Sequence, residues 1–252
     1  MNQENSTVRK TQKTQRAFTI VELLAVIAMI TVFIGILGLA LSDSDRTAGL
    51  DSSQRILSGM ISNARSHAMM KQGTVYVLIS TDADDPDAFL REVRIAHSAG
   101  VLLDGDDKPV LDPVTGSQIP ILHTIGTPNQ LARGVYVVPP NNAVPNFSGN
   151  HSTMFTDYDS NVGAGVNLDD RKSDISYGYV ELDGDPQERY LYFRYNARGF
   201  AGGGSQIIFA PARRVAGTTV QFDSPYQAVG FLLRPFGSVT FVSDSQGFDS
   251  TD

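Results

Sequence analysis

Residues 18–41 read FTIVELLAVIAMITVFIGILGLAL, twenty-four residues that carry one charge, Glu22. As a helix rising about 1.5 Å per residue, this run is long enough to cross the hydrocarbon of a bilayer. The seventeen residues before it hold Arg9, Lys10, Lys13 and Arg16 against Glu4, a net charge of +3, while the whole chain of 252 residues carries −7. Basic sequence ahead of the apolar run and acidic sequence after it predict a single pass, with the first residues cytoplasmic and the remainder exported. Glu22 is the residue to explain, because an ionisable side chain in such a segment costs about 3 kcal/mol when central and has no Lys or Arg nearby to pair with.

Hydropathy alone leaves other readings open. An ordinary signal anchor fits, as does a secretory signal peptide cut after the small residues near Ala40 or Ser42, although the run exceeds the roughly 7 to 15 residues of such signals. The residues around the charge separate these readings. Ala17-Phe18-Thr19-Ile20-Val21-Glu22-Leu23-Leu24 behind a short basic leader resembles the prepilin-type cleavage and methylation signal of type IV pilins and pseudopilins. The resemblance implies that a prepilin peptidase cuts between Ala17 and Phe18 and methylates the new amine. Ala17 stands where the family usually has Gly. Glu22 then becomes the fifth residue of the processed chain, and the amine of Phe18 on a neighbouring subunit supplies the charge that a buried carboxylate needs.

Beyond the apolar run, Ser42-Asp43-Ser44-Asp45-Arg46 turns polar, and residues 52–72 return to helical spacing, with Ile56, Leu57, Met60, Ile61, Ala64, Ala68 and Met69 on one face. Gly73 is a stop. Strands follow at Thr74–Ile79, Phe89–Ala96, Val135–Val138, Ile175–Leu182, Tyr190–Tyr195, Gln206–Ala210, Val229–Arg234 and Ser238–Val242, set apart by Gly, Pro, Asn and Asp. A helix followed by strands predicts an α+β fold in which a long N-terminal helix, transmembrane in its first half, packs on an antiparallel β-sheet. The expected divisions are a leader (1–17), a membrane and filament helix (18–41), its amphipathic continuation (42–73) and a β-rich extracytoplasmic domain (74–252) with an insertion-like region at about 100–174.

Three further stretches extend the resemblance to minor pseudopilins of the H and FimT type. Asn63-Ala64-Arg65-Ser66-His67-Ala68 before Gly73 is similar to their helix end. Tyr192-Phe193-Arg194-Tyr195-Asn196-Ala197-Arg198-Gly199 and Leu233-Arg234-Pro235-Phe236-Gly237-Ser238-Val239 are similar to two strand–turn–Gly motifs late in their domain. The size of the chain is also similar to that of Verru_Chthon cassette protein D. What the resemblance implies is a structural subunit of a type II secretion or type IV pilus filament. Its partners would be prepilin peptidase, other pilin or pseudopilin subunits, an inner-membrane assembly platform and membrane lipid. The alternative is a single-pass anchored extracytoplasmic binding protein that does not polymerise.

No residue pattern carries enzymatic chemistry. There is no cysteine, so thiol nucleophiles and Cys-ligated metals are excluded. No nucleophile elbow, phosphate loop or dinucleotide fingerprint is present, and the expectation is a non-enzyme without cofactor or metal. Asp82-Ala83-Asp84-Asp85-Pro86-Asp87 and Asp104-Gly105-Asp106-Asp107 gather carboxylates without calcium-loop spacing and read as turns. His67, His97, His123 and His151 are scattered. Arg213-Arg214 is too little basic sequence for nucleic acid, so none is expected as a partner. The aromatic run at Tyr190–Tyr195 reads as strand packing.

Overall fold

The computed structural model describes residues 19–140, 143–144, 148–149, 175–185, 187–202, 205–223 and 227–242, with the side chains of 36–46 and 148–149 outside the description. The chain divides in sequence between Ser44 and Asp45 into two compact units. Helix α1 runs from Ile20 to Lys71. In the second unit its apolar stripe, Leu50, Leu57, Met60, Ile61, Ala64 and Ala68, is buried in the main core, while Met69 is turned out. The helix ends one residue earlier than Gly73 suggests. Gln72 takes the left-handed conformation (φ 50°), and the Gly73 amide donates back to the Ala68 carbonyl at 3.2 Å, which closes the last turn.

Twelve strands follow among the described residues: β1 (Val75–Ser80), β2 (Glu92–Val101), β3 (Pro120–Thr124), β4 (Asn129–Gln130), β5 (Val135–Val137), β6 (Ser148–Gly149), β7 (Ser176–Leu182), β8 (Glu188–Tyr195), β9 (Ser205–Ala216), β10 (Thr219–Phe222), β11 (Val229–Leu233) and β12 (Val239–Val242). The first sheet has the order β1-β8-β7-β3-β2-β4, and β1 also pairs with β2, so five of its strands close into a small barrel. Its interior is a separate cluster of Tyr76, Leu78, Ala96, Leu122, Val180, Leu182 and Tyr190, with Tyr192 packed against it. The second sheet, β12-β11-β9-β10-β6 with β5 beside β9, is organised around the twelve-residue β9.

Strand β1 explains how the two cores join. All six of its residues are buried, because Val75, Val77 and Ile79 face the main core with α1 while Tyr76 and Leu78 face the barrel interior. A strand covered on both faces reads as a continuous apolar run rather than an alternating one. The aromatic run of β8 divides the same way, Tyr190 into the barrel and Phe193 and Tyr195 into the main core.

Several expectations are corrected here. The α+β arrangement, a transmembrane-half helix packed on one antiparallel sheet, is replaced by a mostly β fold of two sheets. Both contain a parallel pairing, β3 with β7 and β6 with β10. The membrane pass over 18–41 is corrected as well: among the described residues no helix is long and apolar enough to cross a membrane. The single-pass inner-membrane placement, the transmembrane helix and the membrane-inserted pilin character that depend on it fall with that finding. The strand placed at Phe89–Ala96 starts at Glu92 instead, because Phe89 and Leu90 form a turn in which Leu90 has φ 54° and its amide donates to the Ser80 carbonyl at 2.8 Å.

Candidate functional site

Ala17 and Phe18, the expected processing residues, lie outside the described residues, as does the leader. Glu22 is described, and its surroundings differ from the sequence reading. Thr19 precedes the first helical residue, and both its amide and its hydroxyl donate to Glu22 Oε2, at 2.9 and 3.1 Å. The Glu22 amide donates in return to Thr19 Oγ1 at 3.2 Å. This is a reciprocal capping box, with Thr19 as N-cap and Glu22 three residues on, and it satisfies donors that the first helical turn leaves unpaired. The carboxylate therefore has local partners within its own chain. The pattern Thr19-x-x-Glu22 ahead of an apolar run was the signal that could have shown it.

Behind this cap, eleven large apolar side chains stand exposed: Ile20, Val21, Leu23, Leu24, Val26, Ile27, Met29, Ile30, Val32, Phe33 and Ile34. Their exposures run from 47% at Val26 to 79% at Ile20, so no side of this helical stretch is covered. A helix that is apolar all round is normally buried, and an exposed apolar surface of this extent marks a site of association. Thr31 does not interrupt it, because its hydroxyl bonds back to the Ala28 carbonyl at 2.8 Å.

A second constellation lies in the folded domain, where the three motifs similar to pseudopilin sequences converge. The turn Asn196–Gly199 is held by Asn196 Oδ1, which accepts from the amides of Arg198 and Phe200 at 2.9 and 3.1 Å. The turn Arg234–Gly237 closes with the Gly237 amide donating to the Arg234 carbonyl at 2.8 Å. Both glycines are left-handed (φ 73° and 77°), and a Cβ on Gly237 would fall on the carbonyl oxygen of Gly199. Arg65 of α1 reaches both turns: its guanidinium donates to the Phe236 carbonyl at 3.4 Å, and its Nε lies 3.2 Å from where a Cβ on either glycine would sit. Phe200 and Phe236 meet edge to face above the junction, 5.8 Å between ring centres, with Phe236 72% exposed. Beneath it, burial pushes the Tyr195 phenol up to about 12, opposed by the Arg65 charge.

The carboxylate stretches hold their own turns. Asp82 accepts from the Asp84 amide at 2.8 Å, Asp85 from Asp87 at 2.9 Å, and Asp104 from Asp106 and Lys108 at 2.8 and 2.9 Å. Arg213 is bonded to Gln221, while Arg214 bonds the carbonyls of Gly217 and Ala83 and lies over the Phe89 ring.

Asp112 was not singled out from sequence, yet among the described residues it is the most buried carboxylate, 3% exposed. It accepts from the amides of Val114 (2.7 Å), Thr115 (3.1 Å) and, in β7, Tyr179 (2.8 Å). Gly178 leaves room for it, since a Cβ there would stand 2.6 Å from Asp112 Oδ2. Burial acts to raise its pKa, but the amides of Tyr179, Val114 and Thr115 outweigh it and hold the carboxyl below its usual range. A lowered folded value means the contribution is complete above the ordinary carboxylate pKa of about 3.9 and is lost as the pH falls through the folded value. Asp112→Ala is expected to destabilise the domain by about 2 to 4 kcal/mol at neutral pH, measured by urea unfolding, with the deficit shrinking toward pH 3.

The chain matches no protein-family model, no curated protein and no solved structure.

Proposed function

We propose that the chain is a pilin-like structural subunit, processed before Phe18 by a prepilin peptidase and assembled with other subunits through its N-terminal helix. The observation that carries this reading is the uncovered apolar surface from Ile20 to Ile34. Covering such side chains is worth about 1.5 to 3 kcal/mol each when burial is complete, so even partial packing against neighbouring helices drives association. The capping box supports it further, because it caps the helix at Thr19, the second residue beyond the proposed cut, and pairs the Thr19 and Glu22 amides within the chain.

The test is the amino-terminal sequence and mass of the protein recovered from its host. The expected result is a chain beginning at N-methylated Phe18 and sedimenting as an assembly. An intact Met1, or a start near Ala40 or Ser42, overturns the proposal, since the apolar surface would then be either never released or removed.

A further inference from the structure

Two of the four histidines, separated by twenty-five residues in sequence, become direct neighbours in the barrel. His97 in β2 and His123 in β3 are register partners in an antiparallel pair, so their side chains leave the same face of the sheet. Their ring centres lie 5.5 Å apart with the planes tilted by 50°. Two imidazoles on one tetrahedral ion, with nitrogen–metal bonds of about 2.1 Å, have ring centres about 5.3 Å apart. The strand pairing therefore presets the spacing that chelation requires. The His123 side chain is 50% exposed, so an ion has access to it from solvent.

One imidazole also has a fixed carboxylate beside it. Asp183, at the turn between β7 and β8, has its carboxylate fixed by the Thr124 amide at 3.0 Å and the Thr124 hydroxyl at 2.6 Å. Its Oδ1 lies 3.6 Å from His123 Nδ1. At that ion-pair distance the negative carboxylate favours a proton on Nδ1, the tautomer that leaves the other nitrogen, Nε2, as a lone-pair donor, as behind metal-bound histidines.

We propose that His97 and His123 form a surface site for a divalent transition-metal ion of the zinc, nickel or copper class, with Asp183 as the positioning residue for His123. Imidazole nitrogen selects these ions over magnesium and calcium, which prefer oxygen. Among the described residues no group of three His, Cys, Asp or Glu side chains is placed to hold an ion together, so the proposed site offers two protein ligands and solvent would have to supply the others.

The experiment is calorimetric titration of the full chain with Zn2+, paired with electron paramagnetic resonance of the Cu2+ complex. One equivalent is expected to bind, with hyperfine structure from two nitrogen ligands. His97→Gln and His123→Gln, which keep a polar side chain in each strand, each lower affinity at least tenfold and remove the two-nitrogen signature while the circular dichroism stays unchanged. Asp183→Asn lowers affinity roughly tenfold and keeps that signature. Absence of binding below millimolar metal, or binding that both histidine variants leave unchanged, overturns the proposal.

Discussion

Gly237→Ala is expected to cost the folded domain about 3 to 5 kcal/mol, the sum of a left-handed backbone that alanine resists and a clash that no side chain can relieve. The clash decides the size. A Cβ at this position would overlap the main-chain oxygen of Gly199, and Gly199 is itself fixed by the bonds of its own turn and packed against Met69 and Arg65. Either turn could move only by pulling β8 or β11 out of register, and Phe193, Tyr195 and Phe231 on those strands are in the main core. Gly184→Ala supplies the comparison, because Gly184 has a similar φ of 84° with open space around it. That variant is expected to lose only about 1 kcal/mol, so urea midpoints that shift equally for both would show the close approach to be unimportant.

Glu22→Gln is expected to leave the helix capped and yet abolish assembly. Gln serves as well as Glu at the third position of a capping box, so the bonds to Thr19 survive and the far-UV circular dichroism stays unchanged. The charge does not survive. If the amine of a neighbouring Phe18 is neutralised by Glu22 in the assembled state, its removal leaves a desolvated ammonium unpaired, at about 3 to 5 kcal/mol per subunit contact. That corresponds to a loss of about a hundredfold or more in association, read by sedimentation of purified subunits. Glu22→Leu removes cap and charge together and is expected to fray the first turn as well. Normal assembly of the Gln variant would reduce Glu22 to a helix cap and sink the charge-pairing account.

How far the sequence could be read depended on whether the deciding interactions were local. The buried face of α1 from Ile56 to Ala68 follows helical spacing, and the boundaries of β5, β8 and β11 lie within two residues of their turn signals. Non-local pairing was not visible. β3 begins on Pro120 and contains His123, and β10 is four residues long, so neither announces itself as a strand; each is held by its partners instead. The closure of β1 onto both β2 and β8 replaces an open sheet by a barrel and has no one-dimensional signature. Asp112 was illegible for the same reason, since the Tyr179 amide it binds is 67 residues away. The three quoted turn and helix-end motifs could be read singly, whereas their meeting at Arg65, Gly199 and Gly237 could not. At Glu22 a local signal was present as well, Thr19-x-x-Glu22 ahead of an apolar run, and it marks the cap that the structure shows.

The barrel also dictates an order of events during synthesis. β1 and β2 are near neighbours in the chain, but β1 meets β8 roughly 115 residues later, a separation that makes ring closure slow relative to the first hairpin. Until β8 has emerged, one side of β1 presents unpaired amides and carbonyls along an apolar strand, the kind of edge that recruits another chain. Chains truncated between β2 and β8 therefore keep that edge of β1 open to pairing with another chain.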